Sequence, residues 1–441
     1  MLNDWLSRGH RCRSESENRH SYRLIVKMRS VFLTFGRVTM NFGALALFLG
    51  LLAIVTGRIL GPSDRGIVVI FMTLSSMLWV LGSFGTNTFA RVRLVAPEKP
   101  LLLADYLGLV YVLALLQVLL SLVFGAIVLH ATHSFVDQYV LALLMVYSVL
   151  NLLSYLLRDG LYAYGHNAAA SRADVIAAAA QLALVIGFWL CFGLTLQLAL
   201  IAITTGQCFE VVYLKWRYRT FGLTPRPRWA VNSIVMQIRG GSPALVTSLS
   251  QTMIFRLDRL LLGLFATTAQ VGLYSVAATM TEALLLIPAS IAQVMFHRIA
   301  SSTTRLHALA RLRIASLSLC ILSALVLGLA APQLVTLLFG QAYISSVMPL
   351  RILLVGAIAM GSYLVDIACV NAMGRLANAS MLTLAGLMLI AILDVALIPH
   401  YGMNGAAVAS TFSYVVMAIL AARQVRLLGR RRTLADLELD D

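Results

Sequence analysis

The chain has 441 residues, of which 60% are apolar and 12% charged, and a formal net charge of +16. Soluble domains carry about 25% charged residues, so this composition excludes a water-soluble enzyme or binding module and describes a chain dissolved in lipid. The basic excess does not call for nucleic acid, since no soluble domain exists to present a basic face; anionic lipid headgroups attract basic loops equally well.

Residues 1–30 are polar and basic and form an N-terminal tail. The apolar run that follows is too long for a cleavable signal peptide and lacks a small-residue cleavage site. Met28, just before Arg29, would serve equally well as a first residue. His10, Cys12 and His20 lie in this solvated tail and make no metal site, and the five cysteines show no disulfide or zinc spacing. No cofactor motif appears. Beyond the tail, apolar runs of about 20 residues, the length that crosses a bilayer, fall at 32–56, 66–90, 101–129, 138–157, 173–192, 194–214, 240–264, 270–296, 314–336, 346–368, 377–397 and 403–422. Twelve spans divide into an N-lobe over 31–214 with helices 1–6, a basic linker over 215–239, a C-lobe over 240–422 with helices 7–12, and a polar C-terminal tail over 423–441. The linker sequence KWRYRTFGLTPRPRWAVN ends near Trp229, where an interfacial helix is expected because Trp and Arg favour that zone.

The alternation of these spans accounts for the charge. With the N-terminus inside, the inner segments hold 28 of the 34 Lys and Arg, the outer loops hold only Arg58 and Arg65, and Arg37, Arg256, Arg259 and Arg351 lie within spans. Short loops rich in Lys and Arg stay cytoplasmic, so both termini and the linker are expected in the cytoplasm.

The halves carry matching glycines. Gly57 and Gly66 flank the turn after span 1, as Gly263 and Gly272 flank the turn after span 7; Gly165 and Gly193 bracket span 5, as Gly374 and Gly402 bracket span 11. The offsets are 206 and 209 residues. Glycines mark helix ends generally, but matched offsets indicate duplication. Six spans per half give both halves one orientation, a parallel repeat about an axis along the membrane normal, which usually encloses a cavity at mid-membrane.

Span 7 has a polar half to line such a cavity. At about 100° per residue, Ser248, Gln251, Thr252, Arg256, Asp258 and Arg259 share one half of the wheel and Leu249, Met253, Ile254, Leu257, Leu260 and Leu261 the other, with Ser250 and Phe255 as exceptions. Span 8 aligns Ser275, Thr279, Glu282 and Gln293; span 1 aligns Thr34, Arg37 and Asn41. A charge near the centre of a span costs ~2.5–3.5 kcal/mol on insertion scales, and such residues are usually inward-facing and functional. The arginines suit an anion, because a guanidinium matches phosphate bidentately and stays charged. The substrate-binding candidates are therefore Arg37, Asn41, Gln251, Arg256, Arg259, Ser275 and Thr279. Asp258, Glu282, Asp366 and Asp394 are candidates for coupling to a proton or sodium ion. Two alternatives stay open: the arginines pair with Asp258, Glu282 or Asp366 as an interhelical clamp, and Arg37 snorkels to the inner surface. Arg58, Asp64 and Arg65 at the outer mouth, and Arg158 and Asp159 at the inner end of span 4, are explained by solvation.

Residues 258–300, DRLLLGLFATTAQVGLYSVAATMTEALLLIPASIAQVMFHRIA, resemble the corresponding part of bacterial polysaccharide flippases, with Phe296-His297 where that family often has Phe-Pro. GRILGPSDRG (57–66), LFGQAYISSVMPL (338–350) and IPHYGMNGAAVAS (398–410) are similar to the same family in order and spacing. The resemblance implies the multidrug/oligosaccharidyl-lipid/polysaccharide exporter superfamily, an all-α MATE-like fold, and O-antigen-type transport of lipid-linked oligosaccharide across the bacterial inner membrane for surface or exopolysaccharide assembly. The implied partners are the lipid-linked oligosaccharide, membrane lipid, and a polysaccharide polymerase and glycosyltransferases. A drug/cation antiporter of the same superfamily would want a carboxylate-rich lumen, against the arginine excess. A membrane glycosyltransferase, polymerase or ligase would want a substantial outer loop, and those around 130–137 and 340–345 are short.

Overall fold

In lipid the backbone has no partner but itself, so apolar runs of this length become helices. The computed structural model describes the backbone of residues 2–96, 101–132, 138–300, 306–373 and 375–437, with side chains over 40–96, 101–127, 138–292, 313–373 and 377–427, besides Met295 and Arg375. Its elements are α1 Leu2–Gly82, α2 Thr86–Arg93, α3 Leu103–Thr132, α4 Gln138–Ala163, α5 Asn167–Phe192, α6 Leu196–Thr220, α7 Val231–Ile254, α8 Leu257–Phe265, α9 Thr268–Ala300, α10 Leu306–Phe339, the 3₁₀ turn η1 Gln341–Ser346, α11 Val347–Ala372 and α12 Leu376–Leu437. No strand occurs among the described residues.

Among the described residues, nine helical segments are long and apolar enough to cross a membrane. Two of them fold back on themselves. α1 breaks at Gly61 (φ 75°) and α12 at Gly402 (φ 53°), so each supplies two passes. Pro62 opens the second arm of α1, where its missing N–H costs nothing. A further pass is α7 with α8. Its polar face keeps it out of the apolar set, and it is broken at Phe255–Arg256, where Phe255 N–H and Arg256 N–H donate to the carbonyls of Thr252 and Met253 at 3.3 and 3.1 Å. These three-residue bonds tighten and end the helix. Twelve passes result, six on each side of the linker.

Each half has its own apolar core. The second-half core joins Leu262, Tyr274, Leu350, Ala357, Ile390, Ala406 and Met417 across α8, α9, α11 and α12. The first half packs Val68, Phe71, Leu74, Leu144, Leu200 and Ile203 across α1, α4 and α6, with further clusters around Tyr106 and Tyr218. The connection between the halves is shorter than the linker read from sequence: α6 runs to Thr220 and α7 begins at Val231. The helix expected from Trp229 is the start of α7 itself. Arg228 N–H donates to Ala104 O at 2.9 Å, tying the connection to α3.

The halves meet along the second arm of α1. At its start, Gly66 packs on Gly272 of α9. Just beyond its other end, Gly85 packs on Gly241 of α7 and Phe89 on Gly240. Between these two crossings one side of the arm, with Arg65, Val69, Met72, Thr73, Ser76 and Trp79, faces an internal space.

Candidate substrate cavity between the two halves

The space is a cavity of about 260 Å³ whose walls come from both halves. The second arm of α1 supplies Arg65, Thr73, Ser75, Ser76 and Trp79; its first arm Leu52, Ala53 and Thr56; α4 supplies Tyr147 and Asn151. From the second half come Arg256 and Arg259 at the α7–α8 break, and Ser275, Thr279 and Glu282 on one stripe of α9. Along the second arm of α1, the lining from Arg65 to Trp79 covers about 21 Å at 1.5 Å per residue.

Three arginines converge here, each held differently. Arg65, only 6% exposed, donates from Nη1 to Thr56 Oγ1 at 2.6 Å, which fixes it across the Gly61 bend. Arg259, 3% exposed, forms an ion pair with Glu282 of α9. The Arg256 side chain has no ion-pair or hydrogen-bond partner among the described residues, and it sits on the non-helical residue of the break (φ −131°, ψ −23°). With one glutamate against three guanidiniums, the cavity is positive. A positive wall of planar donors is chemistry for a phosphate or carboxylate. Ser275 and Thr279 donate their hydroxyl protons to the carbonyls of Gly272 and Ser275, both at 2.7 Å, so toward the cavity their oxygens act as acceptors for a ligand's hydroxyl groups.

The description of the polysaccharide biosynthesis protein family matches residues 38–303, more than half of the chain. The chain belongs to the polysaccharide biosynthesis protein family. Among solved structures, the lipid II flippase MurJ in an inward closed conformation is similar at a TM-score of 0.75 and 13% identity, over 88% of this chain and 87% of that one. An inward-facing multidrug resistance MATE family transporter of the MOP superfamily is similar at a TM-score of 0.64 and 15% identity, over 87% and 94%. A Vibrio cholerae MATE transporter is similar at 0.55 and 16%, over 90% and 98%. At these identities the likeness concerns the fold: an all-α, multi-pass membrane protein of two six-helix lobes around a central cavity. No curated protein is significantly similar in sequence.

In this member of the polysaccharide biosynthesis protein family, the candidate residues read from sequence divide. Arg256, Arg259, Ser275, Thr279 and Glu282 line the cavity together. Gln251 is exposed and outside the cavity wall, and Asp258 turns into the C-lobe, because the helix does not run straight through 240–264: the break at Phe255–Arg256 resets the wheel. Asp258 is buried, accepting from Tyr274 Oη at 2.5 Å and from Arg259 N–H at 2.7 Å. Asn41 is spent on structure, donating to Ser171 Oγ at 2.8 Å on α5. Asp366, buried on α11, forms an ion pair with Arg313 of α10 at 2.7 Å. Asp394 of α12 is fully buried, and neither of its oxygens has a hydrogen-bond partner among the described residues. Arg351 is exposed and donates to Gly328 O. The side chains of Arg37 and Gln293 and of the 130–137 loop, and the residue Gly374, lie outside the described residues.

Two groups assigned to solvation are buried partners instead. Arg65 belongs to the cavity; Pro62 begins a helix, so residues 63–65 form its first turn rather than a loop, and that proline was the available signal. Asp159 is buried and pairs with Arg91, while Arg158 pairs with Asp174 and Glu210.

Proposed function

We propose that this protein moves an oligosaccharide linked to a polyprenyl pyrophosphate from the inner to the outer leaflet of a bacterial inner membrane. The observation that carries the proposal is the convergence of Arg65, Arg256 and Arg259 on one cavity between the halves. A pyrophosphate needs several charge-assisted donors away from water, and guanidiniums supply them bidentately. Arg256, without a side-chain partner among the described residues, is the group most ready to receive it. The hydroxyls of the sugar next to the pyrophosphate meet Asn151, Ser275 and Thr279, while the polyprenyl chain stays in lipid. In this reading Lys and Arg keep both termini and the 221–230 connection in the cytoplasm. Access alternates as one half rocks on the other about the glycine crossings. The reading is transport rather than catalysis; glycosyltransferases act before it and a polymerase after it.

Ion coupling falls to Asp394 and not to Asp366. An unpartnered buried carboxylate either holds a proton or meets a cation, whereas Asp366 already has Arg313. Neutralising it as Asp394→Asn should leave folded protein at the wild-type level and abolish any dependence of transport on the proton or sodium gradient in proteoliposomes. Unchanged gradient dependence in a stable Asp394→Asn variant would reject that role. The transport reading is tested in cells lacking the protein: a lipid-linked glycan should accumulate on the inner leaflet and return to normal on re-expression. Normal surface glycan without the protein would overturn it.

A further inference from the structure

The arginine cavity is not the end of the internal space. Leu49, Met72, Trp79, Tyr147 and Asn151 also line a second chamber of about 180 Å³ that runs on into the first half between α1, α4, α5 and α6. Its chemistry differs. Gln181 Nε2 donates to Gln207 Oε1 at 3.5 Å. Gln207 Nε2 in turn donates to Ser154 Oγ at 3.0 Å and Glu210 Oε2 at 2.6 Å. Glu210 and Asp174 both face Arg158, so two carboxylates outweigh one guanidinium. At the junction with the arginine cavity, Trp79 and Tyr155 lie with ring centroids 4.2 Å apart, offering aromatic surface beside the amides.

We propose that this chamber is the sugar subsite of the carrier and that it selects uncharged sugars, such as hexoses and N-acetylhexosamines, over sugar acids. The proposal rests on the reading of the neighbouring cavity as the pyrophosphate site. Three features carry it. Amides and carboxylates offer donors and acceptors together, as a sugar hydroxyl requires. The aromatic rings supply apolar faces for the C–H side of a pyranose. The excess of carboxylate repels a uronate, whereas the positive cavity next door holds the phosphates. The two signs of charge thus set the direction of the ligand, phosphates toward Arg65, Arg256 and Arg259 and sugar toward Gln181 and Gln207. A site built to hydrogen-bond a ligand rejects one lacking those groups more strongly than an apolar pocket does.

The test uses the purified full chain in lipid nanodiscs and three probes: undecaprenyl pyrophosphate, the same lipid bearing N-acetylglucosamine, and the same lipid bearing glucuronic acid. Wild type should bind the N-acetylglucosamine lipid about tenfold tighter than the bare lipid, and the glucuronic acid lipid no tighter than the bare one. Gln181→Leu should erase the first preference without changing bare-lipid affinity, and Glu210→Gln should improve binding of the glucuronic acid lipid. The wild-type comparison needs no variant to fold: equal binding of the three probes, or tighter binding of the uronate, would overturn the chamber's role. Bare-lipid binding that ignores Arg256→Gln would instead overturn the pyrophosphate reading, and the contrast among sugars would still stand or fall by itself.

Discussion

Gly66 and Gly272 pack against each other by the same rule in both directions. A Cβ on Gly66 would fall 1.8 Å from the carbonyl oxygen of Thr268, and a Cβ on Gly272 would fall 1.9 Å from that of Pro62. Thr268 precedes Gly272 by one helical turn, as Pro62 precedes Gly66. A contact in which residue i meets j while j meets i is the mark of a two-fold relation. Here both members belong to one chain, so the axis relates its two halves. The glycine offset in the sequence and the crossing in space are the same symmetry seen twice.

This crossing closes the cavity on the side of Arg65, and its backbone contact leaves no room for a side chain. Gly66→Ala and Gly272→Ala should each force the second arm of α1 away from α9, because the obstructing atoms are backbone and have no rotamer to change. Overpacking of this kind costs about 1–3 kcal/mol. We expect transport to fall at least tenfold while membrane levels of folded protein fall less than twofold. A cysteine placed at Thr279 should also become more reactive to a membrane-impermeant thiol reagent applied from the outer side. Gly187→Ala, which would meet nothing within 4 Å, is the control. If Gly66→Ala transports like the control, the crossing has no part in access.

Orientation has its own test. Tags at the N-terminus, after Lys215 and at the C-terminus should report the cytoplasm, and a tag at Gly402 the outside, because 28 of the 34 Lys and Arg fall on one side of the alternation. External labelling of the 221–230 connection would remove the twelve-span arrangement.

Span count and the duplicated halves were legible because they depend on properties summed over many residues: apolar length, charge in loops, glycine spacing. The cavity was half legible. Ser275, Thr279 and Glu282 stand together on the cavity wall because α9 runs straight through them and a helical wheel holds. Gln251 and Asp258 were misplaced because the chain breaks between them at Phe255–Arg256, and a wheel has no means of detecting a break that removes only two residues from the helix. Asn41 shows a different limit: a polar residue on an apolar helix faces inward, but the sequence does not say whether its partner is a ligand or, as here, Ser171 on the next helix. Arg65 was assigned to solvent because charge at a turn usually is solvated.

The Arg313–Asp366 pair separates structure from function. Asp366 is 1% exposed and Arg313 34%, so loss of the arginine strands a buried charge. Breaking a buried pair from one side costs about 3–5 kcal/mol. Arg313→Ala should therefore lower the yield of folded protein several-fold, and Arg313→Ala with Asp366→Asn should recover most of it, an interaction that a double-mutant cycle measures. Thermal unfolding in detergent is the readout. A single Arg313→Ala variant as stable as wild type would show that the pair contributes nothing.

At the cavity the outcome should be reversed, with function lost and stability kept. Arg256 has no side-chain partner to strand among the described residues, so Arg256→Gln should fold normally and lose at least tenfold in glycan export. Arg256→Lys keeps the charge without the planar fork and should retain part of the export. Arg259 is the stricter case, because Glu282 is its partner. That carboxylate is 35% exposed toward the cavity, where water reaches it, so Arg259→Gln should cost far less stability than Arg313→Ala. If Arg259 served only to clamp α8 to α9, Arg259→Gln with Glu282→Gln would restore export by removing both charges together. If it holds phosphate, that double variant should fold and still fail to export. Export is read as surface glycan per folded molecule, and wild-type export by a stable Arg256→Gln, Arg259→Gln variant would exclude the cavity as the anion site.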